Sequence, residues 1–374
     1  MTNIKTDKIL NVPTLRFPGF TDEWQKCTIS QFGDIITGST PSTSNQDNYT
    51  DGVYCWASPS DLNGTKYVYD TKIRLSQKGY DKTRKLPKDA ILVTCIGSTI
   101  GKMGMSYTEM STNQQINAVV VNVSFDKDFV YYAIQSRFPK YLTSIAVQAV
   151  PILSKSAFGE LGNYYPSKLE QKKIGKLLSL LDERIALQSK LIDRLKSLMD
   201  GIIDRITTQA SNISIAECLE CHSSTLQEGE TVEIGDCPVY GANGICGYLD
   251  YSDISTPAIL IVKDGSGVGS VSYTSGGCSV VGTLNYLTPK EYFSAKFLYF
   301  ILKRFNFQPY KTGMAIPHIY FKTYSKARIF CPDYEEQTRT AASLSRIEDK
   351  IALEEKLLFL LHEQKRYLLS AMFI

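Results

Sequence analysis

The sequence predicts a mixed α/β (α+β) fold in which two globular domains are joined by two long coiled-coil helices. Residues 166–171, Pro-Ser-Lys-Leu-Glu-Gln, recur as residues 332–337, Pro-Asp-Tyr-Glu-Glu-Gln, at a separation of 166 positions. An apolar strand segment followed by a glycine-rich run also occurs twice, at 90–101 and at 258–269. A period this long indicates a duplication of whole domains and not a solenoid of short repeats. The two halves should therefore form a pseudo-twofold pair.

Each copy of the repeat predicts one long helix with its own start signal. Ser167, and Asp333 in the second copy, can cap the first free N–H groups, and a glutamate three residues later completes a capping box. In the first helix, apolar residues, interrupted only by Gln188, then follow a 4-3-4-3 spacing from Ile174 through Ile206, which is typical of a coiled-coil seam. The residues that we assign to partner binding and spacing on the two helices are Leu178, Ile185, Ile192, Leu195, Leu344, Ile351, Leu358 and Leu361.

Pairing of the two helices with each other is favoured over burial of each helix in a separate core. One apolar stripe on its own is equally typical of an ordinary core helix. Two equivalent stripes, however, make each helix the natural partner of the other. Gln188 and Glu354 also occupy the same layer in the two copies, and a single polar layer is typical of a coiled coil with a fixed register.

The composition is that of a globular protein and not of a fibrous or disordered one. Of 374 residues, 43% are hydrophobic and 21% are charged, and the net charge of +3 is too small to indicate nucleic-acid binding by itself. Residues 1–10 are polar and lack the apolar region of a signal peptide, and no run approaches the roughly 20 apolar residues of a membrane span. Nine scattered cysteines indicate reduced thiols. We therefore expect a cytoplasmic protein that has no membrane partner.

The glycine-rich runs predict β-hairpins and not nucleotide sites. Walker and dinucleotide loops need a helix directly after the glycines, because the helix N-terminus binds the phosphates. Here residues 270–274, Ser-Val-Ser-Tyr-Thr, continue as strand and turn, and no Gly-Lys-Ser/Thr sequence follows. Glycine inside strand-forming sequence is instead typical of closely approaching backbones. Asn117 and Asn285 occupy corresponding positions after the two hairpins.

Each half contains a basic, aromatic segment without acidic residues. Between Tyr292 and Pro332 there are seven Lys and Arg residues among many Tyr and Phe, and residues 129–159 also lack Asp and Glu. This composition is the footprint expected for phosphate contact, although chance clustering on a solvated surface is the alternative. Both segments include an apolar-Pro tripeptide, Val-Pro-Ile at 150–152 and Ile-Pro-His at 316–318.

The cysteine pattern does not predict a metal or haem site. Residues 218–222, Cys-Leu-Glu-Cys-His, match the attachment pattern of c-type haem, and together with Cys237 and Cys246 they loosely suggest zinc. Haem attachment requires export, which the N-terminal residues do not favour. A zinc site is disfavoured because the first half has no equivalent cysteines and the remaining spacing is irregular. We predict no metal ligand and no bound cofactor.

With these features in place, the chain resembles the specificity (S) subunits of Type I restriction-modification enzymes. The resemblance extends from about Leu15 to the C-terminus. It is carried by residues 24–42, which include Gly-Ser-Thr-Pro-Ser, by the two Pro-[Ser/Asp]-x-x-Glu-Gln helix starts, and by residues 238–244, Pro-Val-Tyr-Gly-Ala-Asn-Gly. The family architecture implies two target recognition domains and two spacer helices that pack antiparallel.

The resemblance also implies a function and a set of partners. Each target recognition domain would read one half of a bipartite site in double-stranded DNA, while the helices set the spacer and dock two methylation (M) subunits. Restriction (R) subunits would join through the complex. S-adenosylmethionine, ATP and Mg would bind the partner subunits, since this sequence lacks an Asn-Pro-Pro or Asp-Pro-Pro methyltransferase core and a Walker loop. The chain would then be a non-catalytic recognition subunit.

Two other functions remain open from the residues alone. The first is a stand-alone DNA methyltransferase or nuclease with fused recognition domains, which would need a cofactor or metal motif. The second is a coiled-coil adaptor that binds proteins and whose basic surfaces are incidental. An adaptor of that kind would have no affinity for DNA even at low salt, where phosphate contacts are strongest.

The predicted boundaries follow the repeats. Residues 1–14 form an N-terminal extension, and residues 15–165 form the first target recognition domain. Residues 166–209 form the central spacer helix. The second target recognition domain covers residues 210–331, and the C-terminal spacer helix covers residues 332–374.

The residues selected for DNA binding rest on side-chain chemistry. The two recognition domains share only scattered residues, so base contacts are not transferred from one to the other. Asn, Gln, Ser, Thr, Lys and Arg side chains can read base edges or bind phosphates. In the first domain we select Ser39, Thr40, Ser42, Lys102, Asn113 and Gln114. In the second domain we select Tyr240, Asn243, Lys263, Ser266, Lys311 and His318.

Overall fold

The structure, a computed structural model, describes residues 11–145 and 152–374. Contacts divide the chain into two compact units. Unit 1 contains the residues up to Lys190 together with Lys356–Ile374, and unit 2 contains Leu191–Glu355. Residues 1–10 of the predicted N-terminal extension, and Val150 and Pro151 of the first apolar-Pro tripeptide, lie outside the described residues.

The globular part of unit 1 is formed by short strands and helices. Its strands are β1 (Gln25–Thr28), β2 (Gly33–Thr37), β3 (Tyr54–Ala57), β4 (Tyr67–Val68), β5 (Arg74–Leu75), β6 (Lys85–Leu86), β7 (Ile91–Thr94), β8 (Met103–Ser106), β9 (Met110–Thr112), β10 (Ile116–Val121) and β11 (Gly162–Tyr165). Its helices are α1 (Ile29–Phe32), α2 (Gln77–Tyr80), α3 (Lys127–Ile145) and α4 (Lys155–Glu160).

Two sheets share the core of unit 1. The larger sheet has the order β2-β10-β7-β8-β4, the smaller has the order β5-β3-β9-β6, and β1 pairs with β11 alone. Alternate residues of β7 face opposite sides: Ile91 and Val93 belong to a cluster with Trp24 and helix α3, while Leu92 belongs to a cluster with Leu62 and Val68. Because side chains alternate along a strand, an apolar run such as β7 is covered on both faces.

The first long helix, α5 (Lys168–Thr207), follows β11. Unit 2 then contains strands β12 (Ile213–Ser214), β13 (Leu219–Ser223), β14 (Cys237–Gly241), β15 (Gly244–Leu249), β16 (Ala258–Val262), β17 (Val271–Thr274), β18 (Ser279–Val280), β19 (Leu284–Pro289) and β20 (Arg328–Ile329). Its helices are α6 (Ile215–Cys218), α7 (Ala295–Lys303) and α8 (Phe321–Tyr324), and the second long helix is α9 (Tyr334–Ala371).

The strand order of unit 2 repeats that of unit 1. The order β13-β19-β16-β17 corresponds to β2-β10-β7-β8, and the pair β12-β20 corresponds to β1-β11. The parallel pair of β3 with β9 in unit 1 corresponds to that of β14 with β18 in unit 2, and unit 1 has a further parallel pair, β4 with β8. The internal duplication predicted from the sequence is therefore present in the topology of the two units. The smaller sheet differs, with four strands in unit 1 and three, β15-β14-β18, in unit 2.

The glycine-rich runs form hairpins, as predicted. Strand β7 pairs antiparallel with β8, and β16 pairs antiparallel with β17. The corresponding asparagines also have equivalent partners, because Thr37 donates to the Asn117 side chain (2.7 Å) and Ser223 donates to the Asn285 side chain (2.9 Å). In both units a strand-end hydroxyl thus satisfies a buried amide.

The two long helices pack antiparallel. In unit 1, Lys365 of α9 forms an ion pair with Asp182 of α5 (2.7 Å), and in unit 2 Glu355 of α9 pairs with Lys196 of α5 (2.6 Å). Early residues of one helix therefore meet late residues of the other. The seam prediction needs one correction near the end of α5, where Ile203 is buried and Ile202 is only half-buried. No helix within residues 11–145 and 152–374 is both long enough and apolar enough to span a bilayer.

The glutamine that follows the repeated proline joins each long helix to a shorter one. Gln171 donates to the Pro166 carbonyl (2.9 Å) and accepts from the Asp126 N–H (2.9 Å), just before α3. Gln337 donates to the Pro332 carbonyl (2.9 Å) and accepts from the N–H of Ser294, the cap of α7 (2.9 Å). Both side chains are buried. This amide makes the same two hydrogen bonds in both copies, which explains why the motif recurs.

The glutamate of the first capping box has a different partner from the one expected. Both carboxylate oxygens of Glu170 accept from the Arg16 guanidinium, at 2.7 and 2.8 Å, and the carboxylate is buried. In the second copy, Asp333 accepts from the Glu336 N–H (2.8 Å), as expected for the helix cap. A bidentate pair with arginine is stronger than a capping contact, and it ties the N-terminal segment of unit 1 to α5.

An acid on each long helix accepts a tyrosine hydroxyl from the neighbouring short helix. Tyr132 of α3 donates to Asp182 (2.7 Å), and Tyr299 of α7 donates to Glu348 (2.6 Å). Glu348 also pairs with Lys296 (2.9 Å). Burial acts to raise the pKa of Glu348, but the bonds from Tyr299 and Lys296 outweigh it and hold that pKa below its ordinary value. These clusters attach each globular part to a long helix.

Glu348→Gln should destabilise unit 2 by about 1.5–3 kcal/mol at pH 7, since it weakens hydrogen bonds to a charged, partly buried group. Because the folded pKa lies below the unfolded value of about 4.3, this contribution is present above pH 4.3 and is lost as pH falls further. Urea denaturation should therefore show a larger difference from native protein at pH 7 than at pH 3.5. The control Glu355→Gln removes an exposed ion pair and should cost under about 1 kcal/mol. Equal losses from both variants would contradict this account.

Candidate nucleic-acid interface

Several strand ends meet at one edge of unit 1. The Ser39 N–H, just after β2, donates to the Thr112 carbonyl at the end of β9 (2.8 Å), and the Asn113 N–H donates to the Ala57 carbonyl at the end of β3 (2.9 Å). The Cys95 N–H, just after β7, donates to the Gln115 carbonyl (2.7 Å). The loops that follow four strands are thereby held together, and their side chains form one polar surface.

This edge brings together most of the residues selected from the sequence in the first domain. Thr40 donates to the side chain of Gln114, and both are exposed. Asn113 is buried, and its amide donates to Gln115 (3.0 Å). Lys102, also exposed, follows the glycine-rich run, and its carbonyl accepts from Thr94 N–H at the end of β7.

Ser42 lies further along the loop that follows Ser39. Its carbonyl accepts from Asn48 (2.9 Å), and its hydroxyl contacts that of Ser44 (2.8 Å). The Ser39 carbonyl accepts from the indole N–H of Trp56 (3.0 Å). The Ser/Thr-rich loop is therefore anchored at both ends, and it presents its hydroxyl groups from a defined backbone.

Arg84 lies at this edge, although the selection from sequence omitted it. Its guanidinium donates to the carbonyls of Thr37 (2.7 Å) and Gly38 (3.2 Å), and its N–H donates to the Ser39 hydroxyl (3.0 Å). The side chain is exposed, so it combines a structural role with a positive charge at the surface. The available signal was the alternation of Tyr, Lys and Arg across residues 66–88.

The corresponding edge of unit 2 is built in the same way. The Lys263 N–H, just after β16, donates to the Thr283 carbonyl (2.9 Å), and the Lys263 carbonyl accepts from Ile319 N–H (2.9 Å). The Val281 N–H donates to the Tyr240 carbonyl at the end of β14 (3.0 Å). Asn243 lies at the exposed tip of the β14–β15 hairpin, and Ser266 is exposed in the glycine-rich run.

Lys263, Asp264 and His318 form a polar cluster at this edge. His318 Nδ1 lies 2.6 Å from an Asp264 oxygen, and the Lys263 ammonium pairs with the other Asp264 oxygen. Burial acts to raise the pKa of Asp264, but the bonds from His318 and Lys263 outweigh it and hold that pKa below its ordinary value. Asp264 is therefore a carboxylate that orients two cationic or donor side chains. Asp264 is not among the residues selected from the sequence.

The two edges offer hydrogen-bond donors and acceptors. Amide, hydroxyl, ammonium and guanidinium groups can bind phosphates and read base edges in the major groove. Within residues 11–145 and 152–374, no three His, Cys, Asp or Glu side chains are grouped to hold a metal ion. All nine cysteines are free thiols, and burial raises the pKa of Cys221 in the Cys-x-x-Cys-His segment to about 11.

The long helices place the selected seam residues at two levels of burial. Leu178, Ile192, Leu344, Ile351 and Leu361 are buried. Ile185, Leu195 and Leu358 are half-buried.

A second group of apolar residues on the helices faces solvent. Leu180 and Leu187 of α5 lie seven residues apart, as do Leu353, Leu360 and Tyr367 of α9, and all five are exposed, Leu187 to 67%. A heptad-spaced apolar stripe outside the seam is unusual for a surface that remains in water.

Comparison with known proteins gives the family. A family model described as the Type I restriction modification DNA specificity domain matches residues 21–197 and again residues 214–362. The HindI specificity subunit of Haemophilus influenzae is 29% identical over 187 residues, which cover 47% of this chain and 40% of that protein. The MjaIX specificity subunit of Methanocaldococcus jannaschii is 29% identical over 174 residues, which cover 45% of this chain and 40% of that protein. The chain thus spans 40% of the length of each of these curated relatives.

Solved structures share the fold over nearly the whole chain. The S subunit of a Type I restriction-modification system from M. genitalium superposes with a TM-score of 0.71 at 19% identity, covering 97% of this chain and 99% of that one. A chain from a study of complex assembly and conformational transition of the type I R-M system gives a TM-score of 0.51 at 15% identity, with coverage of 95% and 98%. Because the family model matches both halves of the sequence and the topology repeats with it, the chain belongs to the Type I restriction modification DNA specificity domain family, and carries that domain twice.

Proposed function

We propose that this chain is the DNA sequence-specificity subunit of a Type I restriction-modification system. The observation that carries the proposal is that both units use one strand order to gather unlike polar side chains at the same edge. One edge presents Thr40 and Gln114, and the other presents Lys263 and His318. Two copies of one scaffold with different edge chemistry suit a bipartite, asymmetric DNA target.

Each edge would combine phosphate contacts with base contacts. Arg84 and Lys102 in unit 1, and Lys263 and Lys311 in unit 2, supply the positive charge. Exposed amide groups such as Gln114 and Asn243 can form paired hydrogen bonds with adenine in the major groove. Phosphate contacts set the position on the duplex and amide contacts set the sequence.

We propose that two methylation subunits dock on the long helices. The exposed heptad-spaced leucines of α5 and α9 supply an apolar surface for helices of a partner. S-adenosylmethionine, ATP and Mg would bind the methylation and restriction subunits, and the restriction subunits would join through the assembled complex. The chain would then act in the cytoplasm, where the DNA is. Its nine free thiols are consistent with that reducing compartment.

The central helix is the element proposed to set the spacer between the two half-sites. Helix α5 has 40 residues, which at 1.5 Å per residue make a rod of roughly 60 Å. A rod of this length exceeds the roughly 34 Å of one turn of duplex. The edges of the units then determine which bases are read, and helix length determines the gap between them.

A methyl-transfer assay tests the proposal. The purified chain alone should transfer no methyl group from labelled S-adenosylmethionine to genomic DNA, because recognition and catalysis reside in different subunits. Addition of the cognate methylation subunit should give transfer that neither protein gives alone. Transfer by the isolated chain, or transfer by the methylation subunit that is independent of the chain, would contradict the proposal.

A further inference from the structure

One apolar loop at the edge of unit 2 has no explanation in the fold. Residues 312–318 form a tight turn, in which the N–H groups of Thr312 and His318 donate to each other's carbonyls, at 2.9 and 2.7 Å. At its tip, Met314 has a relative exposure of 106% and Ile316 of 57%. This turn therefore holds an apolar side chain fully in solvent at the edge of unit 2.

The base of the loop is rigidly attached to the polar cluster. Gly265 N–H donates to the Pro317 carbonyl (3.0 Å), and His318 bonds to Asp264 through Nδ1 (2.6 Å). Gly313 adopts φ +88°, and a Cβ at this position would lie 2.3 Å from the Ile316 carbonyl oxygen. Only glycine fits there, so the turn is a built feature that holds Met314 outward from a fixed base.

The surroundings of the tip indicate nucleic acid as the partner. Lys311 precedes the turn, and residues 293–331 contain no acidic side chain. Lys263 lies at the base of the turn, where Asp264 pairs with it and with His318. A protein surface that buries an apolar tip would need acidic groups opposite these lysines, whereas the phosphates of a duplex supply that charge on both sides of a base step. Methionine belongs to the apolar side chains that insert between base pairs and kink a duplex.

Resting on the proposed function, we infer that Met314 is a wedge that inserts between stacked base pairs at the half-site read by unit 2. Insertion would unstack one step and bend the duplex, and the lysines would hold the phosphates on either side. Bending at this place would also loosen the pairing of neighbouring bases, which a methylation subunit must extrude to reach an adenine. Met314 is then a positioning residue for DNA and not a catalytic one.

The test uses the full chain assembled with its methylation subunit and a duplex that carries the motif obtained by methylome sequencing. 2-Aminopurine is placed at each step of the half-site assigned to unit 2, and its fluorescence reports unstacking. Native complex should brighten one step, Met314→Leu should retain the signal, and Met314→Ala should lose it. Binding of Met314→Ala to the target should weaken by about 10- to 100-fold, in the range of losing one specific base-pair interaction.

Two further variants separate a wedge from a charge effect or a general loss of surface. Met314→Ala should leave the salt dependence of binding unchanged, because it removes no phosphate contact, while Lys311→Ala should lower the log-log slope by about one. Ile234→Ala removes an 89% exposed apolar side chain elsewhere in unit 2 and should match native protein.

The outcomes distinguish failure of this inference from failure of the proposed function. Motif-directed methylation and native 2-aminopurine signals in Met314→Ala would overturn the wedge and leave the proposed function standing. Loss of methylation-subunit capture by Met314→Ala, with unchanged DNA binding, would make the loop a protein-docking site instead. If the native complex gives no sequence-directed methylation, both proposals are contradicted.

Discussion

Gln171→Leu and Gln337→Leu should destabilise their own units by similar amounts. Each change removes the side-chain amide and leaves an at least partly buried N–H and proline carbonyl without the bonds that both glutamines make at 2.9 Å. Each unsatisfied buried group costs about 1–3 kcal/mol, so each variant should lose about 2–6 kcal/mol. Hydrogen exchange should report lost protection at the start of α3 for Gln171→Leu and at the start of α7 for Gln337→Leu.

Two controls isolate the effect of the hydrogen bonds. Gln364→Leu alters an exposed glutamine of α9 and should change the free energy of unfolding by under about 0.5 kcal/mol. Gln171→Glu keeps the acceptor for the Asp126 N–H but removes the amide donor to the Pro166 carbonyl. If one Gln→Leu change lowers the free energy of unfolding strongly and the other does not, the two glutamines do not contribute equally to stability, and the duplicated motifs are not equivalent.

The double substitution Leu180→Glu and Leu187→Glu should abolish capture of the methylation subunit. Both side chains are exposed, so the free energy of unfolding should change little, by about 0.5 kcal/mol per site. Two charges inside an apolar interface, however, should weaken association by about a hundredfold or more. Analytical ultracentrifugation or titration calorimetry with the methylation subunit measures the loss.

Val123→Glu is the matched control, since it places the same charge on a 97% exposed side chain in a loop of unit 1 that is not part of the heptad-spaced stripe. It should bind the methylation subunit like native protein. Undiminished capture by the Leu180/Leu187 variant would show that the exposed stripe of α5 is not the docking surface. The globular parts would then be the next candidates for that surface.

The long helices and the hairpins could be predicted from sequence because their signals are local. Apolar spacing marks α5 and α9, and strand-forming runs around glycine mark the β7–β8 and β16–β17 hairpins. Contacts between distant residues have no local signal. The Arg16–Glu170 pair, at a separation of 154 residues, is one example, and the parallel pairing of β3 with β9 is another.

In the candidate site, too, features with a local signal can be predicted from sequence and contacts between distant residues cannot. Polar residues beside the glycine-rich runs, such as Lys102 and Lys263, can be selected because strand ends are readable in the sequence. Which strand ends share an edge depends on the sheet order. The sequence therefore does not reveal that Arg84 packs against the loop that contains Ser39. The role of Asp264 is to orient Lys263 and His318. Its contact with His318 spans 54 residues, so no local signal in the sequence marks it.

The central claim is that each unit reads one half of a bipartite DNA site, and methylome sequencing tests it most directly. Cells should express the methylation subunit with the native chain, with Gln114→Ala in unit 1, or with Asn243→Ala in unit 2. The account predicts a two-part adenine-methylation motif for the native chain. Gln114→Ala should relax one part and Asn243→Ala the other, with the opposite part and the gap unchanged. A single contiguous motif, or variants in either unit that alter both parts together, would contradict the claim.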